Sequence, residues 1–232
     1  MTVRRTTMHI EPGLVTGAKA LVGFATAAAA AGVTLKFAWD SLREKGLASL
    51  AVRSLIATAA VFAFFEILPH YPVGVSEVHL ILGSTLFLIL GAAPAAIGLA
   101  LGLLIQGLLF APFDLPQYGM NVTTLLVPLF AVQALARRII APHTPYVDLD
   151  YRQALALSTA YQGGVVAWVA FWAFLGQGFG AENVTSILAF GSAYMLVVLI
   201  EPLADLAVLA GAKSLRGLAG SGLFTHRLHH AA

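Results

Sequence analysis

The sequence predicts an all-α membrane protein that crosses the bilayer about seven times. Hydrophobic residues make up 59% of its 232 residues and charged residues only 10%, and its mean hydropathy is +0.86. A soluble domain carries about 25% charged residues, so this chain has too few charges to cover a water-facing surface. Its apolar runs lack the alternation of barrel strands. A net charge of +2 is too small to favour nucleic-acid binding.

Each predicted spanning helix is a run of mostly apolar residues, about 20 of which cross a bilayer. The third and fifth runs are short, so we expect them to tilt or to begin inside a cavity. No linker or repeat interrupts the series, which predicts one membrane domain over residues 8–216 and a basic, histidine-containing cytoplasmic tail over 217–232. The runs are residues 17–39, 50–68, 75–90, 94–110, 121–135, 154–175 and 185–209.

Lysine and arginine set the predicted orientation, because short cytoplasmic loops are enriched in them. They occur around the loops after the first and fifth runs and behind the seventh, whereas the loops after the second, fourth and sixth runs have none. This distribution predicts that the N-terminus lies outside and the C-terminus in the cytoplasm. We expect the protein to lie in the inner (cytoplasmic) membrane. Arg4 and Arg5 conflict with it, and the conflict disappears if the mature chain begins at Met8. Residues 1–7 are therefore interpreted as a mis-assigned start or a disordered extension.

Ionisable side chains are costly at membrane depth, so each of them is a functional candidate. The chain has no cysteine, and a metal would therefore bind nitrogen and oxygen ligands, which suit nickel, cobalt, copper or zinc. Late in the seventh run, Glu201 and Asp205 share one helix face, where they can pair with Arg53 or with the basic groups of a partner. The set near the predicted outer surface is His9, Glu11, Glu66, His70, Glu77, His79 and Asp114.

The dipeptide Met8-His9 is the sharpest of these features. If Met8 is the N-terminal residue, its free amine, the backbone nitrogen of His9 and the His9 imidazole form two fused chelate rings. This flat set of nitrogen donors suits nickel(II), copper(II) and cobalt(II) better than zinc. One further imidazole completes a square. The amine has to be free and deprotonated, so residues ahead of Met8 would abolish the site.

The opening Met8-His9-Ile10-Glu11-Pro12-Gly13 resembles the Met-His-Ile-x-x-Gly start of the CbiM/NikM family. These proteins are the substrate-capture membrane subunits of cobalt and nickel energy-coupling-factor (ECF) transporters. A second likeness is His79, followed by an apolar helix, Gly91, and Gln106 within Leu-Leu-Ile-Gln-Gly-Leu-Leu. A third is Gly119-Met120-Asn121, which is similar to a Gly-x-Asn of the family. The resemblance covers residues 8–129 well and the remainder by hydropathy only.

The resemblance implies a metal site made of Met8, His9 and His79. His70 competes with His79, because His70-Tyr71-Pro72-Val73-Gly74 mimics the local context of the family's second histidine. Glu77 is interpreted either as an orienting partner of an imidazole or as a solvated loop acid. Asn121 is interpreted either as an orienting amide or as a helix cap. His9 and His79 have plainer alternatives too, as helix-end residues bonded to the backbone.

The resemblance also implies partners, namely a membrane scaffold (T) subunit, cytoplasmic ATPase subunits and a small accessory membrane subunit. Ala27 and Ala31 in the first run are small residues four apart, which favours either docking of the scaffold or packing inside the bundle. Gly98 and Gly102 form the same pattern in the fourth run. No Gly-x-x-x-x-Gly-Lys-Ser/Thr loop occurs, so the chain is expected to be a transport subunit without enzymatic activity or a catalytic cofactor.

Two other classes of function remain open at this point. A stand-alone permease for a metal or small solute would need an internal proton pathway, for which Glu66, Glu201 and Asp205 are the available groups. An intramembrane metal-dependent hydrolase would need His-x-x-x-His or an aspartate-rich set at mid-membrane, and the sequence has neither. The preferred hypothesis is capture of cobalt(II) or nickel(II), as the transported substrate, for an ATP-driven transporter.

Overall fold

The computed structural model describes residues 9–215, and the side chains of residues 9–214. Five helical stretches in this part of the chain are long and apolar enough to cross a membrane, which confirms the predicted all-α polytopic fold. The proposed N-terminal extension and cytoplasmic tail lie outside the described residues. The elements are α1 Ala20–Ile67, β1 His70–Val73, β2 Ser76–His79, α2 Gly83–Leu90, α3 Ala92–Leu109, α4 Tyr118–Ile139, α5 Tyr151–Gln177 and α6 Ala181–Leu215.

Helix α1 folds back on itself at Gly46 and so supplies two of the predicted spans. Gly46 has φ 78° and ψ 167°, values outside the helical region. Across this break, the Arg53 guanidinium donates a hydrogen bond of 2.9 Å to the Ser41 hydroxyl. On a continuous helix these residues would be about 18 Å apart along the axis, farther than an arginine side chain reaches. The two arms, residues 20–45 and 47–67, correspond to the first two predicted helices.

The third predicted helix, residues 75–90, is wrong in its first half. Residues 76–79 form strand β2, which pairs with β1 in an antiparallel hairpin. Only Gly83–Leu90 is helical in this stretch; its eight residues span about 12 Å, too little for a bilayer core of about 30 Å. The apolar character of this run comes from burial among other helices, which hydropathy does not distinguish from exposure to lipid.

Glycines bring the spanning helices into close contact. A Cβ atom on Gly98 would overlap Ala57, and one on Gly102 would lie 2.6 Å from Val61 Cγ1. This small-residue pair therefore packs α3 against the second arm of α1, inside the protein. Gly23 and Gly119 make a similar approach between the first arm and α4, where a Cβ on Gly119 would lie 2.7 Å from the Gly23 carbonyl oxygen.

The two ends of the bundle differ in what they hold. At one end Arg53 closes the fold of α1 and donates a hydrogen bond of 2.7 Å to the carbonyl of Leu90, the last residue of α2. About three helical turns further along the second arm, Phe65 lies at the opposite end, against the hairpin. The N-terminal segment, the hairpin and the start of α4 meet at this second end, which holds the candidate site.

Candidate functional site

The N-terminal segment is inserted into the end of the bundle. His9 is only 7% exposed and Ile10 1%. The Ile10 amide donates to the Asn121 side-chain oxygen over 3.3 Å, and the Glu11 amide donates to the Val75 carbonyl over 3.1 Å. A polar backbone entering an apolar bundle needs such acceptors, because unsatisfied amides are costly there. The segment thus places the His9 side chain inside the protein.

The hairpin brings a second imidazole to the same place. Pairing of β1 with β2 sets His79 directly opposite His70, at the strand ends next to the helices. The His9 and His79 ring centroids lie 5.7 Å apart with their planes at 77°. The Phe65 ring contacts both, at 5.6 Å from His9 and 5.0 Å from His79. Two imidazoles predicted from distant parts of the sequence are therefore neighbours.

Two carboxylates accompany the imidazoles. Asp114 Oδ2 lies 3.5 Å from His9 Nδ1, a long contact between two buried side chains. Glu77 is 2% exposed, and neither of its carboxylate oxygens accepts a hydrogen bond within the described residues. Burial, together with the charge of Asp114, raises the pKa of Glu77 to about 8. A cation that enters this site would therefore lie close to the Glu77 carboxyl group.

His79 is held in the form that binds metals. Burial, followed by the neighbouring imidazoles of His9 and His70, lowers the pKa of His79 to about 3. The ring is thus neutral near pH 7, and a neutral imidazole can donate a nitrogen lone pair to a metal ion. His79 Nδ1 lies 3.4 Å from the carbonyl of Leu80, so Nε2 is the nitrogen left for a ligand.

The two imidazoles and the Glu77 carboxyl group border two small pockets. One pocket is bordered by His9, Glu77, His79 and Asn121 and reaches Tyr194 on α6. A second, smaller pocket lies between His9, Phe65, His70, Glu77 and His79. Within residues 9–214, however, no three histidine or carboxylate side chains converge as a metal-binding group. Further donors would have to come from the backbone or from Met8, which lies outside the described residues.

The structure places the other candidates as follows. Asn121 does not cap α4, whose N-terminus has no side-chain cap, and its oxygen faces Ile10 instead. His70 is half-buried and borders the second pocket, with no hydrogen bond to Nδ1 in the described chain. In the first arm of α1, Ala31 is exposed, whereas Ala27 is half-buried and packs on the core.

Asp114 is a residue beside the imidazoles that the sequence did not single out. It was one of several outer acids, and nothing in its neighbourhood favoured it over Glu11 or Glu66. The residues Pro112–Gln117 form a short 3₁₀ helix that leads into α4, and this turn carries Asp114 over His9. The available signal was its position at the end of the fourth apolar run, one loop before Asn121.

Comparison with known proteins gives this geometry its context. The sequence model of CbiM, described as the cobalt uptake substrate-specific transmembrane region, matches residues 9–217. The chain belongs to the CbiM family. Membership makes it a membrane component of transition-metal uptake, and its several apolar helices agree with a multi-pass membrane protein. No curated protein matches the sequence.

Two solved structures resemble this CbiM-family chain throughout. A crystal structure of a transition metal transporter superposes with a TM-score of 0.69 at 20% identity, covering 96% of this chain and 100% of the other. A truncated transition metal transporter gives a TM-score of 0.65 at 20% identity, covering 88% and 97%. At this identity the likeness shows the fold.

Proposed function

We propose that this protein captures cobalt(II) or nickel(II) for an ATP-driven uptake transporter, near the outer face of the inner membrane. The ion is the transported substrate, and its ligands are the Met8 amine, the backbone nitrogen and imidazole of His9, and the imidazole of His79. The observation that carries the proposal is the 5.7 Å between the His9 and His79 rings. In the proposed square the two imidazoles are adjacent, so metal–nitrogen bonds of about 2 Å would bring their centroids to roughly 4.5 Å, and the rings need to approach by only about 1 Å.

Within the described residues, His9 and His79 are the imidazoles that meet at this site, which suits a ligand set completed by the start of the chain. The His9 and His79 imidazoles would fill two of the four positions around a square-planar ion. The Met8 amine and the His9 backbone nitrogen can fill the other two only if Met8 is the first residue. Closing the chelate ring uses His9 Nδ1, the imidazole nitrogen nearer the backbone, and takes it away from Asp114. The Asp114 carboxylate then balances part of the charge of the ion, and the ion favours the ionised form of Glu77, whose pKa burial otherwise raises.

The proposed partners are a membrane scaffold subunit, cytoplasmic ATPase subunits and a small accessory membrane subunit. The exposed face of the first arm of α1, which includes Ala31, is the proposed docking surface for the scaffold. Ala27 contributes less, since it packs on the core. A stand-alone permease gains no support, because Glu201 and Asp205 are engaged by hydrogen bonds to the backbone and hydroxyls of residues 81–85.

The test is metal binding by purified protein beginning at Met8, measured by calorimetry with nickel(II) and cobalt(II). We expect His9→Ala and His79→Ala each to abolish high-affinity binding, and a form retaining Thr7 to lose it as well. His143→Ala, at an exposed loop position, is the matched control and should bind like the unmodified protein. If all four variants bound the metal as tightly as the unmodified protein, the proposed site would be refuted.

Coupling to ATP is tested separately. Radioactive cobalt or nickel uptake is measured in cells that express the chain with and without genes for the proposed ATPase and scaffold subunits. Uptake that depends on those genes supports the capture subunit, whereas equal uptake without them would favour the permease.

A further inference from the structure

The stretch between β2 and α2 depends on a side chain from another helix. Here the backbone has left the hairpin and has not yet entered α2, so its amides lack partners in either element. Glu201 of α6, which is 0% exposed, accepts hydrogen bonds from the amides of Ile81 and of Leu82, the latter at 3.0 Å. Buried amides without an acceptor would cost about 1–3 kcal/mol each, so this carboxylate determines whether the irregular stretch is stable.

The Glu201 carboxylate is itself held in place. Gln162 of α5 donates its side-chain amide to the second oxygen of Glu201, and the Tyr194 hydroxyl donates to the Gln162 oxygen over 3.0 Å. Both partners are fully buried. Tyr194 also borders the larger pocket of the candidate site. An ordered chain of hydrogen bonds therefore runs from that pocket to the amides of Ile81 and Leu82.

The intrinsic backbone preferences of its residues do not explain the conformation of the stretch between β2 and α2. Leu82 has φ 55°, a left-handed conformation that a non-glycine residue adopts only at a cost of about 1–2 kcal/mol. Ile81 is 1% exposed and borders the same pocket as His79. His79 is fixed on its N-terminal side by pairing of β2 with β1. On its C-terminal side the first fixed point is the Ile81 amide, two residues away, on Glu201.

We propose that Glu201 is a positioning residue for the metal site, which it serves by holding the backbone that carries His79. Asp205, one turn further along α6, binds the hydroxyls of Ser84, at 2.5 Å, and Thr85. Its contacts belong to the first turn of α2 and lie farther from His79. Glu201 thus acts on the site, and Asp205 acts on the helix that follows. This inference rests on the proposed function, since it assigns His79 to the metal.

The experiment compares Glu201→Leu, Glu201→Gln and Asp205→Leu in protein that comprises residues 8–232. Nickel(II) affinity is measured by calorimetry, and the d–d absorption of bound nickel(II) reports the ligand set. We expect Glu201→Leu to lose about tenfold in affinity, the order found for residues that orient metal ligands, with a changed spectrum. Glu201→Gln keeps an acceptor oxygen and should restore most of both. Asp205→Leu should lower the melting temperature but leave the nickel spectrum unchanged.

A double-mutant cycle separates positioning from general loss of structure. In a His79→Ala background, Glu201→Leu should cause no further loss of the weak nickel binding that remains, because its effect acts through His79. Additive losses, an unchanged affinity and spectrum in Glu201→Leu, or an equal spectral change in Asp205→Leu would each overturn the inference.

Failure of the inference is distinguishable from failure of the proposed function. If His79→Ala weakens nickel binding and Glu201→Leu does not, only the positioning role is wrong. If His79→Ala has no effect, the site itself is wrong. Should Glu201→Leu fail to fold, Gln162→Leu replaces it, since this change leaves Glu201 in place but removes the amide that holds its carboxylate, together with the acceptor of the Tyr194 hydroxyl. The same His79-dependent loss is then expected, and unchanged affinity would overturn the positioning role.

Discussion

The contact between Asn121 and the N-terminal segment yields the most quantitative prediction. Asn121→Ala removes the acceptor of the Ile10 amide, one residue beyond His9, and leaves that amide buried without a partner. The penalty for such a group is about 1–3 kcal/mol. If it falls wholly on the docked state of the segment, nickel affinity decreases by about 5- to 150-fold, at about 1.4 kcal/mol per factor of ten.

The length of the hydrogen bond between Ile10 and Asn121 narrows the expected loss of nickel affinity. At 3.3 Å, the bond is slightly longer than the usual 2.7–3.2 Å of an N–H···O bond, so the loss should be about tenfold. The assay is calorimetric nickel(II) titration of detergent-purified protein beginning at Met8. Asn121→Asp, which keeps an acceptor oxygen, should retain most of the affinity.

A second buried asparagine provides the control. Asn183 donates to the carbonyls of Ala173, at 3.0 Å, and Gly178, at 2.6 Å, and so holds the turn between α5 and α6, away from the imidazoles. Asn183→Ala should lower the melting temperature without changing nickel affinity. If Asn121→Ala binds nickel as tightly as the unmodified protein, or if both alanine variants weaken binding equally, docking of the N-terminal segment through Asn121 is refuted.

Two further predictions concern close approaches at glycines. Gly98→Ala should destabilise the protein by about 1–3 kcal/mol, the usual cost of overpacking, because the new methyl group overlaps Ala57; thermal unfolding in detergent measures it. Gly176→Ala should weaken nickel binding more than it lowers the melting temperature, because its Cβ would overlap the carbonyl of Leu14 and displace the segment that carries the proposed ligands. Gly163→Ala, with open space around its Cβ, is the control for both and should lower neither stability nor nickel affinity, since alanine is favoured over glycine inside a helix; a comparable loss there would contradict the packing argument.

Hydropathy predicted most of the helices. Each helix long enough to cross a membrane corresponds to one or two predicted runs, because a spanning helix has to be apolar along its whole length. The exception is the run over residues 75–90. It is equally apolar, yet part of it is a strand, since burial against α6 removes the hydrocarbon environment that would force a helix.

The sequence also named most of the side chains at the candidate site. His9, His79 and Asn121 stood out because polar groups are rare in such a chain, and because their surroundings resemble a known family. Their mutual arrangement was not readable in this way. The contact of His9 with Asp114 joins residues 105 apart, and that of Ile10 with Asn121 joins residues 111 apart.

The roles of the acids were decided by tertiary structure alone. From the sequence, Glu201 and Asp205 were expected to pair with Arg53 or with a partner's basic groups, and the pairing with Arg53 is wrong. Arg53 instead holds Ser41 and the Leu90 carbonyl, while the acids receive the donors of residues 81–85. Local composition determines which segments enter the membrane, because transfer into lipid depends on each segment's own side chains. Which buried donor meets which acceptor depends on how distant segments pack, and only the folded bundle determines that.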